Sequence, residues 1–109
     1  MAQLECESEK IMSKLTERAR NQPCTIRLAG CDGGGDTTVL AHYRLLALGA
    51  GMGRKPHDIF GAYACVHCHD AVDGRRTIPE CDRTEVRLAH LEGVLKTIHL
   101  LMVGGKLKV

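Results

Sequence analysis

The chain predicts a small α+β fold: a hairpin and a short helix, closed by a longer helix near the C-terminus. Three features predict it. Cys24 and Cys31 form one thiol pair and Cys65 and Cys68 a second. Two strand-like segments flank a glycine-rich stretch between the pairs, and from residue 83 apolar residues recur at helical spacing. At 109 residues the chain is expected to be a single domain, 1–109, with a core of modest size. It has no Trp, one Phe and two Tyr, and its 12 Gly dilute the apolar material further. A metal would offset that deficit, because its binding energy becomes folding energy.

Residues 1–20 read as an N-terminal helical extension. Within it the helix covers 8–20, with Ser8 as its cap and Ile11, Met12 and Leu15 on one side. Pro23 breaks that pattern. Thr25 to Leu28 alternates polar and apolar residues as a short strand does, Gly30 turns the chain, and Gly33 to Gly35 form a loop. Thr37 to Arg44 is the clearest strand candidate, rich in β-branched and aromatic residues. Gly49, Gly51, Gly53 and Pro56 mark a wide loop, after which Ile59 to Ala64 returns as the partner strand. From Val66 the residues suit a short helix ending near Gly74. Residues 21–78 are thus the expected metal-bound ββα core.

Segment 79–109 is predicted as the C-terminal helix, running from about Arg83 to Met102. Its Leu88, Leu91, Leu95, Ile98 and Met102 fall three, four, three and four apart, one face of a helix. That stripe is expected to cover the metal core. Its other use is to pair with a second copy of the chain in a homodimer.

Net charge is only +2, so bulk charge does not argue for a polyanionic partner. Its distribution says a little more. Between Thr37 and Cys68 the basic residues Arg44, Arg54 and Lys55 face the single acid Asp58, and Arg75 and Arg76 follow. No apolar run is long enough for a membrane span. Met1 to Lys14 carries Glu5, Glu7 and Glu9, unlike an export signal, so a cytoplasmic chain with reduced thiols is expected.

Four thiolates are what tetrahedral zinc needs, and Cys65-x2-Cys68 at the start of a helix is a compact way to supply half of them. With Cys24 and Cys31 upstream, the order outlines a treble clef around structural zinc. The upstream pair has six intervening residues, wider than the usual knuckle, and ordinary buried thiols are the alternative for it. Cys65-Val-His-Cys68-His69 also satisfies the attachment pattern for c-type haem, with His69 and Met102 as axial ligands. That alternative leaves Cys24 and Cys31 without a role. Cys6 and Cys81 read as plain free thiols.

His69 and Asp73 lie four residues apart and project from one helix face, so they can share a divalent ion while leaving positions open. The bland alternative is that Asp73 only ends the helix. His42 closes the first strand candidate between the thiol pairs, where an imidazole beside a metal site can take a proton from water. Asp58, between His42 and the helix, is placed to orient that imidazole.

The segments Cys24-Thr-Ile-Arg-Leu-Ala-Gly-Cys31, Thr38-Val-Leu-Ala-His42-Tyr-Arg44, Lys55-Pro-His-Asp58, Ala64-Cys-Val-His-Cys-His-Asp70 and Asp73-Gly-Arg-Arg-Thr77 resemble the YbcO-like family of small nucleases from lambdoid phages and prophages. The resemblance runs from about Arg18 to the C-terminus, including Leu91-Glu-Gly93. Such proteins are similar to HNH, or His-Me finger, endonucleases with a ββα-metal core. The resemblance implies that His42 is the general base, His69 a metal ligand on the helix, and Asp73 the second ligand one turn later. The chain departs from the HNH pattern in two ways: Asp58 is the nearest substitute for the central Asn, and Ala41 stands where many relatives carry another metal ligand.

The expected activity is metal-dependent hydrolysis of phosphodiester bonds in nucleic acid, with DNA as partner. Cofactors would be structural zinc on the four Cys and a second ion, magnesium, manganese or zinc, on His69 and Asp73. Arg44 and Arg76 are the candidates for gripping phosphate. The alternative is a zinc-binding module that holds DNA or protein and cuts nothing. A nucleotide loop at Gly49-Ala-Gly-Met-Gly53-Arg-Lys55 is disfavoured, since it lacks the Gly-Lys-Ser/Thr ending of a P-loop.

Overall fold

The computed structural model describes residues 15–49 and 56–107. Ser8, Ile11, Met12, Cys6, Gly51, Gly53, Arg54 and Lys55 lie outside the described residues. The architecture is a small mixed α+β arrangement with a two-stranded antiparallel sheet and helices on either side of it in sequence. Helix α1 is described over residues 15–18, ending two residues short of the expected limit. The chain turns there through Asn21, whose φ of 67° is left-handed.

Strands β1 (Val39–His42) and β2 (Gly61–Ala64) pair with Val39 opposite Ala64 and His42 opposite Gly61. Both are shorter than predicted, for local reasons. The Thr38 hydroxyl donates to the Gln22 carbonyl at 2.8 Å and accepts from Gly35 N–H at 2.8 Å, which ties residue 38 to the preceding loop. At the other end, Asp58–Phe60 coils into a 3-10 turn, with His57 Nδ1 accepting from Ile59 N–H at 3.1 Å.

The strand expected over Thr25 to Leu28 does not form. Arg27 takes a left-handed φ of 59°, and its Nε donates to the Cys24 carbonyl at 2.7 Å, curling the segment. An extended chain would carry Cys24 and Cys31 roughly 23 Å apart. The curl brings them together instead. Gly34, at φ 87°, closes the loop; a Cβ there would stand 2.6 Å from Cys24 N and 2.7 Å from the Gln22 carbonyl.

Helix α2 (Val66–Val72) begins with Cys65 as its cap, the sulfur accepting from Cys68 N–H at 3.4 Å. Arg83 covers its far end, donating to the carbonyls of Ala71 at 3.0 Å and Val72 at 2.8 Å. Helix α3 (Arg83–Val103) starts in a capping box formed by Asp82 and Glu85. None of the described helices is long and apolar enough to cross a membrane.

Of the predicted stripe, only the half-buried Ile98 packs against the main core. Leu88, Leu91, Leu95 and Met102 are 54, 42, 60 and 44 % exposed, whereas Val86, His90, Gly93, Val94, Thr97 and Leu101 are buried. Gly93 explains the choice. A Cβ there would lie 2.9 Å from Ile26 and 3.3 Å from the Ala62 methyl, so the helix rests its backbone against the thiol loop and β2. Thr97 Oγ1 accepts from Tyr63 N–H at 3.0 Å and lies 3.0 Å from the Thr25 hydroxyl, while His90 Nε2 donates to the Ala41 carbonyl at 2.8 Å. Polar atoms buried on this face are therefore paired, as burial requires.

The main core gathers Cys24, Ile26, Leu28, Ala41, Ala62, Ala64 and Ala71 with Val72, Ile78, Val86 and Val94. A second cluster joins Leu15 and Ala19 to Leu40, Tyr63 and Leu101.

Candidate functional site

The four thiols meet. Sγ atoms of Cys24, Cys31, Cys65 and Cys68 all lie within 4.8 Å of one another, with Cys31 and Cys65 at 3.8 Å. Four sulfurs 2.3 Å from one zinc ion sit about 3.8 Å apart at tetrahedral angles, so the set fits a metal ion such as zinc. All four are free thiols. The Cys24 thiol is pulled down to about 4, chiefly by the hydrogen bond from Cys68, with N–H groups of the loop and helix adding to it. The same contact pushes Cys68 up, and burial pushes Cys31 up. A cation held by the four sulfurs would displace their protons, since the thiolate is the ligand form.

Cys68 faces this cluster, and the next residue, His69, faces away from it. A wide cleft of about 730 Å³ is lined by His42, Arg44, Asp58, His69, Asp73 and Arg75, with Thr16 and Glu17 at its rim. The hairpin brings His42 at the end of β1 opposite the outer face of α2. His42 Nε2 donates to Asp58 Oδ1 at 2.6 Å, and Asp58 Oδ2 accepts from the Thr16 hydroxyl at 3.0 Å. The orienting partner expected for His42 is thus in contact with it. The His42 side chain is only 9 % exposed, against 30 % for His69.

His69 Nε2 and Asp73 Oδ2 are 3.2 Å apart. Two donors about 2.1 Å from one ion sit about 3.0 Å apart at a right angle, so this pair also fits a shared divalent ion. Arg75 lies against both: its guanidinium is 3.4 Å from His69 Nδ1 and 3.2 Å from Asp73 Oδ2, and its Nε donates to Asp70 at 3.1 Å. Arg76 reaches only toward Asp70, at 4.0 Å, and does not line the cleft. Its neighbour Arg75 does.

A smaller cavity of about 350 Å³ adjoins the cleft and shares His42, Arg44, Asp73 and Arg75 with it. Tyr43, Val72, Arg83, Val86, Arg87 and His90 complete its wall. The Arg87 guanidinium lies 5.5 Å from the centre of the Tyr43 ring, and that ring packs at 5.0 Å on His90. Burial holds the His90 imidazole below its usual range.

Sequence reasoning missed Thr16, Arg75, Arg83, Arg87 and His90. One signal was available: residues 83, 86, 87 and 90 share a helix face by three- and four-residue spacing. Thr16 carried no local signal, since its partner Asp58 is 42 residues away.

Comparison with known proteins places this chain in a family. The family model described as "Putative nuclease YbcO" matches residues 13–106. The chain is 37% identical over 98 residues to "Putative nuclease YbcO" of Escherichia coli (strain K12), covering 89% of this chain and 99% of that one. It is equally similar, over the same shares, to "Putative nuclease ybcO" of Enterobacteria phage 82. A solved structure described as a "putative bacteriophage protein" from Escherichia coli K-12 MG1655 superposes with a TM-score of 0.68 at 31% identity, over 83% of this chain and 98% of that one. By the span of that family model and by these identities, the chain belongs to the family described as "Putative nuclease YbcO".

Proposed function

We propose that the protein is a metal-dependent endonuclease of the HNH, or His-Me finger, type that hydrolyses phosphodiester bonds in DNA, on a treble-clef ββα core stapled by structural zinc. One observation carries the reading: His42 and the His69–Asp73 pair line the same cleft.

With its Nε2–H given to Asp58, His42 keeps the Nδ1 lone pair to take a proton from attacking water. Asp58 then steadies the imidazolium that results, and Thr16 holds the carboxylate in place. Arg44 and Arg75 offer guanidinium donors to the phosphate oxygens from the cleft wall. His69 and Asp73 would hold magnesium, manganese or zinc, which when bound supplies positive charge to the phosphate and the departing 3′ oxygen. Charge placed beforehand where it develops in the transition state is usually the largest catalytic contribution. The outward leucines of α3 support a second copy of the chain as protein partner.

The test is nicking of supercoiled plasmid with added magnesium or manganese. His42→Ala is expected to slow cutting by about 10²–10⁴-fold while zinc content stays unchanged. Undiminished cutting by that variant ends the reading. Ala41 and the Arg75 contacts with His69 and Asp73 favour a second reading, a module that binds DNA without cutting it. A gel shift without nicking by the unaltered protein would establish that alternative.

A further inference from the structure

The cavity beside the cleft is more cationic than the cleft itself. Arg44, Arg75, Arg83 and Arg87 converge on it, and Asp73 is its one carboxylate. Among the described residues, Arg44, Arg83 and Arg87 have no carboxylate within 4.0 Å. Two of these guanidiniums are pinned in place: Arg83 by the carbonyls of Ala71 and Val72, Arg87 by the face of Tyr43. Tyr43 in turn rests on His90, which is bonded to the Ala41 carbonyl. A solvated charge patch has loose side chains. For Arg83 and Arg87 part of the ordering cost is already met by neighbours, and concave walls concentrate the field.

Resting on the nuclease reading of the cleft, we propose that this cavity is a second phosphate site, which takes the backbone phosphate next to the one being cut. Guanidiniums free of a carboxylate partner among the described residues can recognise phosphate oxygens through charge-assisted, two-pronged hydrogen bonds. His42, Arg44, Asp73 and Arg75 form the wall common to both hollows. A strand with its scissile phosphate before His42 therefore runs its neighbouring phosphate past that wall. The site would fix the register of the strand and contribute affinity independent of base sequence.

The test uses the full chain with His42→Ala as background, binding a fluorescein-labelled DNA duplex measured by anisotropy at several salt concentrations. Arg87→Gln and Arg44→Gln are each expected to weaken binding and to lower the slope of log affinity against log salt by about one. Lys96→Gln, in the groove lined by Pro23 and Leu95 on another side of α3, should leave the slope alone. Unchanged slopes in both arginine variants overturn the proposal. Sensitivity to Arg87→Gln that vanishes when the DNA carries no 5′ phosphate assigns the cavity to a terminal phosphate and overturns the backbone assignment.

A second arm places single neutral methylphosphonates around the cut site. The linkage neighbouring the cut should slow the unaltered enzyme about tenfold and slow Arg87→Gln no further; equal slowing in both refutes the site. Reduced salt slopes without cutting by any sample support the phosphate site and sink the nuclease reading instead.

Discussion

Two regions of this molecule share helix α2 and obey opposite requirements. Cys65 and Cys68 are fully enclosed and meet two more thiols from a curled loop. His69 and Asp73 follow on the same helix but line an open cleft with His42. Successive helical residues are rotated by about 100°, so Cys68 and His69 point to different surroundings although they are neighbours in sequence. On the proposed function, stability and chemistry would occupy two faces of one short helix, and a change on either face would spare the other.

The sharpest way to break that separation is to remove a thiol. Cys68→Ser should abolish zinc binding and, with it, the cooperative thermal transition, because a structural zinc site contributes on the order of 10 kcal/mol in small domains. Elemental analysis and circular dichroism would record both losses. A variant that keeps a sharp transition without metal would show that the core stands without its staple.

On the open face, Asp58→Ala frees the imidazole of His42 from its partner at 2.6 Å. Cutting should fall by about 10²-fold, while zinc content holds and stability falls by about 1–3 kcal/mol, as for a buried donor left without its partner. Plasmid nicking beside thermal melting gives the comparison.

Thr97→Val probes what the two faces have in common. Its hydroxyl serves Tyr63 N–H and Thr25, and the same helix reaches β1 through His90. Losing that partner inside the protein should cost about 1–3 kcal/mol in urea unfolding. Both thiol loop and hairpin should loosen together in hydrogen exchange.

The smallest effect concerns acid. His90 is held below its ordinary value of 6.5 by burial, so the unfolded chain takes up a proton that the folded chain resists. Its contribution is fully present above 6.5 and declines as pH falls from there toward the lowered folded value. His90→Gln should remove that part of the slope in a series of urea titrations between pH 7 and 5. An identical slope in the variant would assign the acid sensitivity elsewhere.

Legibility followed the range of the interactions. The thiol quartet, the hairpin and the span of α3 were readable because thiol spacing, β-branching and apolar periodicity are local signals. The curl over Thr25 to Leu28 was not. Polar–apolar alternation there promises a strand, yet the meeting of Cys24 with Cys31 and of Thr25 with Tyr63 decides the backbone. The face of α3 was misread for a related reason. Apolar spacing selects Leu88, Leu91 and Leu95, whereas close approach needs Gly93, and hydrogen bonding across the interface needs His90 and Thr97.

The amino-acid order by itself singled out the candidate residues: four thiols in two pairs, two imidazoles and their carboxylates. It also determined where α2 and α3 begin, since caps and apolar periodicity act within a few residues. Only the tertiary structure decided which side of α3 is inside, which arginines stand beside His42, and that Thr16 reaches Asp58. The physical reason is that contacts between distant segments depend on shape and on pairing every buried polar group, and neither is a property of any local run of sequence.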